Sequence, residues 1–101
     1  MNKKKLLKIR RQLLDMRKSP SGIRSVDFIS LATQVGRTKS PVGKHPTYVR
    51  ESAPALSPPL SIPSHPGDMK VGTAREIIDI LLDDVDDWLM HLDEHEVDDD
   101  D

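Results

Sequence analysis

The chain has 101 residues, enough for one small domain with tails, and 36% of them are hydrophobic. Only 3% are aromatic, namely Phe28, Tyr48 and Trp88, too few for a sheet that binds single-stranded bases by stacking. The absence of cysteine excludes disulfides, thiolate zinc sites and cysteine nucleophiles. No apolar run is long enough to span a bilayer and no signal peptide is recognisable, so we expect a cytoplasmic protein.

The net charge of -2 conceals two oppositely charged halves. Residues 1–50 contain 13 Lys and Arg against 2 acids, a net charge of +11, whereas residues 51–101 contain 2 against 15, a net charge of -13. A basic half of this size could bind a polyanion, and the acidic half could compete for it. On charge alone, the simpler interpretation is an ordinary basic helix and a solvated acidic end.

The leading segment, residues 3–18, is predicted to be a basic amphipathic helix. Asn2 is its expected N-cap, and the sequence Ser19-Pro20-Ser21-Gly22 ends it. Its apolar residues recur at spacings of 3, 4 and 3 and form one stripe: Leu6, Ile9, Leu13 and Met16.

A second helix is predicted from Ser25, as N-cap, to the glycine stop at Gly36. Asp27 lies in its first turn, where a carboxylate is favourable. One face is apolar and should be buried: Phe28, Leu31, Ala32 and Val35.

Residues 37–66 contain most of the prolines and cannot form a helix. Three short β candidates remain, at residues 37–40, 45–51 and 60–63. The last helix is expected to begin at Thr73, after Gly72, and to run to about residue 95. The fold class is therefore α+β, a small three-stranded antiparallel sheet with helices packed on one face, in the order α-α-β-β-β-α.

The last helix is predicted to be longer than the sheet beside it. It would remain one helix, or two with a slight kink near Asp83-Asp84. Its outer part, which includes Trp88, needs another apolar partner, and the stripe of the leading helix is the obvious one. Residues 95–101, mostly acids, are expected to be disordered.

The most informative segment for chemistry is Gly43-Lys44-His45, at the start of the second strand candidate. Gly43 lets the backbone approach a phosphate, Lys44 supplies positive charge, and a histidine side chain titrates near neutral pH. Residues three apart in a strand point to opposite faces, so His45 is on the open face if Tyr48 packs under the helices. An imidazole there could move a proton in RNA cleavage through the 2′-hydroxyl. Taken alone, these residues are more commonly those of a surface histidine at a strand start.

A second basic region surrounds the start of the last helix. His65 begins the turn after the third strand candidate, and Lys70 and Arg75 lie near a helix N-terminus, where phosphate is readily bound. The alternative is an ordinary strand–loop–helix connection with Thr73 as the cap.

The run from Phe28 to Trp88 resembles the HicA family of RNA-cleaving toxins of toxin–antitoxin pairs. The resemblance is carried by Gly43-Lys44-His45, by Pro63-Ser64-His65, and by Gly72-Thr73 at the opening of the last helix. It implies a double-stranded-RNA-binding-domain-like fold and cleavage of mRNA by an endoribonuclease. It also implies neutralisation by a HicB-type antitoxin protein.

The resemblance divides the chain into a basic helical extension at 1–22, a HicA-like domain at 23–94 and an acidic tail at 95–101. Two positions depart from the family pattern, because Lys44 replaces the usual Ser before the histidine and Pro46 replaces a frequent second histidine. The basic extension is absent from the shortest family members, although longer relatives have a leading helix.

These observations give a set of expected site residues. His45 is the general acid or base, Tyr48, His65 or water could be the second proton-transfer group, and no metal or other cofactor is needed. RNA phosphates would be held by Gly43, Lys44, Arg37, Lys39, Lys70 and Arg75.

Two other functions remain open, a catalytically silent RNA-binding module of the same fold and a protein-interaction adaptor that uses the leucine stripe of residues 6–16. The sequence His91-Leu92-Asp93-Glu94-His95 resembles an inverted zinc-protease motif. It lacks a third ligand and a surrounding domain, so exposed polar residues at a helix end are the preferred interpretation.

Overall fold

The computed structural model of the chain describes residues 2–40, 47–49, 59–63 and 67–94. It contains helices and strands in the order predicted from the sequence, α-α-β-β-β-α, and the α+β class is confirmed. Their bounds are α1 Lys3–Lys18, α2 Ser25–Gln34, β1 Thr38–Lys39, β2 Thr47–Val49, β3 Leu60–Ser61 and α3 Val71–Glu94.

The predicted bounds and cap of α1 are confirmed. The Asn2 side chain accepts a hydrogen bond from the Lys5 backbone amide at 2.8 Å and satisfies one of the free amides of the first turn. Leu6, Ile9 and Leu13 are buried and belong to the same apolar core as residues of α2, the sheet and α3. The apolar stripe is therefore used inside this chain, which argues against an adaptor that offers it to another protein.

Helix α1 packs against α3, as predicted from its apolar stripe, and the two helices are antiparallel. Three exposed ion pairs join the two helices: Lys3–Asp93 at 3.8 Å, Arg10–Asp86 at 3.2 Å and Arg17–Asp79 at 2.9 Å. The members are seven residues apart on each helix, so each row lies along one face. We call them the heptad ion pairs. The hydrogen bond and the charge of Asp79 raise the pKa of Arg17 above its usual value.

Helix α2 begins at Ser25 with Arg24 as its N-cap, so the prediction of Ser25 as the cap is wrong by one residue. The reason is Asp27, whose side chain accepts a hydrogen bond from the Arg24 amide at 3.0 Å and fixes that residue outside the helix. The predicted stop at Gly36 is confirmed, with φ at 94°. The Gly36 amide donates to the Thr33 carbonyl and the Arg37 amide to the Ala32 carbonyl, the pattern of a Schellman motif.

The strands form one antiparallel sheet in the order β1-β2-β3. Tyr48 of the central strand is paired with Lys39 on one side and with Leu60 on the other. Opposed residues share a face, and the face that carries Tyr48 and Leu60 is buried in the core with the helices. The helices therefore cover this face of the sheet.

Helix α3 begins at Val71, two residues before the predicted start at Thr73. The first amides of a helix have no intrahelical partner, so a helix can begin with residues of low propensity when the preceding chain is held in place. Here the Met69 amide donates to the Ile23 carbonyl at 2.8 Å, and Arg24 and Asp68 form an isolated β-bridge. The helix continues through Asp83-Asp84 to Glu94 as one element. Within the described part of the chain, no helix meets the length and hydropathy of a membrane span.

Candidate nucleic-acid interface

The candidate site is built around the central strand of the sheet, whose middle residue is Tyr48. Its side chain is buried, as expected for a residue packed under the helices. Its burial in the core removes Tyr48 from the expected proton-transfer groups, because such a group must reach the substrate. The other members expected around it, Gly43, Lys44, His45 and His65, lie outside the described residues.

The prediction that Arg37 holds a phosphate is wrong. Its side chain is 0% exposed, and its guanidinium forms a bidentate ion pair with the Asp84 carboxylate on α3, which is also buried. Nη1 donates a further hydrogen bond to the Tyr48 carbonyl at 2.8 Å. The Schellman motif turns the chain at Gly36 and directs Arg37 toward the interior. Arg37 thus joins β1, β2 and α3 and has a structural role.

Three of the expected phosphate ligands are described and exposed. Lys39 lies on the edge strand β1, Lys70 directly precedes α3, and Arg75 lies in the second turn of that helix. None of the three forms an ion pair with another described residue. Lys70 and Arg75 lie together at one end of α3. Lys39 is on β1, at the opposite edge of the sheet from β3. Because it is paired with Tyr48, its side chain lies on the helix side of the sheet, exposed at the edge.

The structure provides no support for the zinc-protease interpretation. The His91 ring packs edge-on against the Trp88 ring, with centroids 6.0 Å apart, and His95 lies outside the described residues. In residues 2–40, 47–49, 59–63 and 67–94, no group of three or more His, Asp or Glu side chains could hold a metal ion. The Trp88 indole donates to the Val35 carbonyl at 2.8 Å, so this end of α3 is tied to the end of α2.

The structure adds a basic groove that the sequence analysis did not single out, between the first turns of α1 and the end of α2. We call it the α1–α2 groove, and its volume is about 480 Å³. The described residues that line it are Asn2, Lys4, Lys5, Lys8, Ile9, Gln12 and Gln34. The lysines were visible in the sequence as part of a basic helix. Only the position of α2 shows that these three lysines share one groove with three side-chain amides.

The comparisons with known proteins identify no relative. No family model matches the chain, and neither the curated proteins nor the solved structures contain a significant match.

Proposed function

We propose that this chain is a cytoplasmic endoribonuclease toxin of the HicA-like kind, which cleaves mRNA and is neutralised by a HicB-like antitoxin protein. One observation carries the proposal: the residues of the resemblance that are described lie in elements of the type and order that it implies. Pro63 follows β3 by two residues, and Gly72-Thr73 lies in the first turn of α3. Tyr48, three residues after His45, is buried in the central strand.

The proposed chemistry needs a proton-transfer group and positive charge, but no metal. His45 takes a proton from the ribose 2′-hydroxyl or gives one to the leaving 5′-oxygen, and water or His65 is the second group. Lys70 and Arg75, exposed and without ionic partners among the described residues, hold phosphates together with Gly43 and Lys44. Lys39, exposed at the sheet edge on the helix side, holds a phosphate further along the RNA. Arg37 has no part in binding, since it is already bound to Asp84.

The test is cleavage of labelled RNA by purified protein in which His45→Ala is compared with His95→Ala. The control makes the same substitution at a histidine outside the proposed site. We expect His45→Ala to lower the cleavage rate by about 10²- to 10⁴-fold and His95→Ala to leave it unchanged. Cleavage should persist in a chelator and stop when the scissile ribose is replaced by 2′-deoxyribose. A His45→Ala protein that cuts RNA at the wild-type rate would refute the assignment.

The second candidate is a non-catalytic RNA-binding module of double-stranded-RNA-binding-domain-like fold. The exposure of Lys39, Lys70 and Arg75 favours it as much as it favours the nuclease, because phosphate binding by these residues requires no histidine. RNA that is bound but never cut by the wild-type protein would select this function.

A further inference from the structure

The basic side chains of α1 fall into two groups with different surroundings. Lys3, Arg10 and Arg17 face α3 and are neutralised by the heptad ion pairs. Lys4, Lys5 and Lys8 are exposed, point away from that row and form no ion pair with any described residue. The acids of α3 thus neutralise only one edge of α1, and the opposite edge keeps its positive charge.

This remaining charge is concentrated in the α1–α2 groove. Lys5 and Lys8 lie along one wall with Gln12 one turn further on, and Gln34 faces them from the last turn of α2. The described residues that line the groove include no acid. Ile9, the one apolar residue among the described lining, is 2% exposed. The described lining therefore offers ammonium and amide donors, and it exposes no aromatic or large apolar side chain.

The position of these lysines is unfavourable for the helix itself. The N-terminus of a helix carries a partial positive charge and favours acids, with about 0.3–1 kcal/mol per favourable charge. The first turn of α1 contains no acid and has lysine at both Lys4 and Lys5. Helix stability therefore does not account for this placement, whereas binding of an anionic ligand does.

We propose that the α1–α2 groove binds the phosphate backbone of the RNA, as a second contact surface beside Lys39. The proposal rests on the proposed function, in which RNA is the ligand. Lysine and glutamine are typical donors to phosphate and sugar oxygens. A protein interface, by contrast, normally contains an aromatic or large apolar anchor, and the described lining of this groove exposes none.

The groove and β1 are close enough to contact one RNA strand. Gln34 is the last residue of α2, and Thr38 begins β1 four residues later. Four residues span at most about 14 Å even when fully extended, so the groove ends within that distance of the strand that carries Lys39. A backbone bound at Lys39 can therefore continue into the groove.

The test measures RNA affinity as a function of salt for two variants with the same loss of charge. Lys5→Gln/Lys8→Gln removes two lysines of the groove. Arg11→Gln/Lys18→Gln removes two exposed cations of the same helix that line a different surface. The probe is a fluorescent single-stranded RNA with 2′-O-methyl riboses, which binds through its phosphates but cannot be cut through a 2′-hydroxyl. A poly-glutamate peptide is measured in parallel.

We expect Lys5→Gln/Lys8→Gln to weaken binding to unrelated RNA sequences alike and to reduce the slope of log K against log salt by about 1.4, or about 0.7 per phosphate contact. Its melting temperature should equal or exceed that of the wild type, because Lys5 opposes the helix dipole. Arg11→Gln/Lys18→Gln should keep the wild-type slope.

Four results would overturn the proposal, each in a different way. Equal slopes for the wild type and Lys5→Gln/Lys8→Gln would show that the groove does not contact RNA, and would leave the nuclease proposal intact. Equal losses in both double variants would show that binding follows net charge alone. A loss of poly-glutamate binding without a loss of RNA binding would assign the groove to an acidic protein. If the wild type binds no RNA at all, the proposed function fails as well.

Discussion

The buried ion pair between Arg37 and Asp84 is predicted to be the most sensitive point of the fold. Its side chains are 0% and 1% exposed, so neither charge can be solvated by water when the other is removed. Truncation of one member of a buried pair typically costs about 3–5 kcal/mol, because an uncompensated charge stays in the interior. Asp84→Ala should therefore lower the free energy of unfolding by about 3–5 kcal/mol, a large part of the 5–15 kcal/mol typical of a domain.

Urea unfolding, followed by the fluorescence of Trp88 and by far-UV circular dichroism, measures this loss. Trp88 is the single tryptophan and lies one turn after Asp84, so its emission reports on this part of α3. In thermal unfolding, the same loss corresponds to a decrease of about 12–40 °C for a domain of this size. The control is Asp86→Ala, which breaks the exposed pair with Arg10 and should cost at most about 1 kcal/mol.

A double variant separates the charge from the packing. Arg37→Met/Asp84→Leu removes both charges, and it deprives the Tyr48 carbonyl of the hydrogen bond from Arg37 at a cost of about 1–3 kcal/mol. It should be more stable than Asp84→Ala. An Asp84→Ala protein within about 1 kcal/mol of the wild type would contradict this role of the ion pair. A double variant that loses as much stability as Arg37→Met and Asp84→Leu lose in sum would contradict it as well.

Two further predictions concern the ends of the chain. Leu13→Ala, at a fully buried position of α1, should destabilise the protein by about 2–5 kcal/mol in urea unfolding, whereas Leu14→Ala, at its 37% exposed neighbour, should cost far less. Equal effects would mean that α1 is not part of the core in solution. Deletion of residues 95–101, which include five acids, should tighten RNA binding at low salt and steepen its salt dependence. Equal affinities of the full-length and shortened proteins in filter binding at low salt would show that these acids do not compete with RNA.

The parts of the fold that were predictable from the sequence are those in which local pattern and capping agree. Helix α1 combines an Asn cap, a regular apolar stripe and a Ser-Pro stop, and its bounds follow from these. The three strands were predictable because the prolines of residues 37–66 exclude a helix from this segment. The start of α3 was missed by two residues, since its entry is fixed by a hydrogen bond from Met69 to Ile23, which are distant in sequence.

The candidate site was less predictable, because a basic residue is by default assigned to the surface. Arginine is seldom fully buried unless it is paired, and the partner of Arg37 is 47 residues away on α3. One feature of the sequence could have indicated this buried pair. Asp84 lies three residues after Leu81 and four before Trp88, on the apolar face of its helix. The role of His45 stays a prediction, because it depends on residues outside the described part of the chain.

The pairing of α1 with α3 also has a consequence for the order of events during synthesis. Helix α1 ends at Lys18, but the helix that covers its apolar stripe ends at Glu94. At a typical rate of about 5–20 residues per second, α1 waits roughly 4–15 s for its partner. Throughout that interval the nascent chain exposes a basic helix with an uncovered leucine stripe, which could be bound by a chaperone. Any activity that requires the complete core begins only after the last helix has been translated.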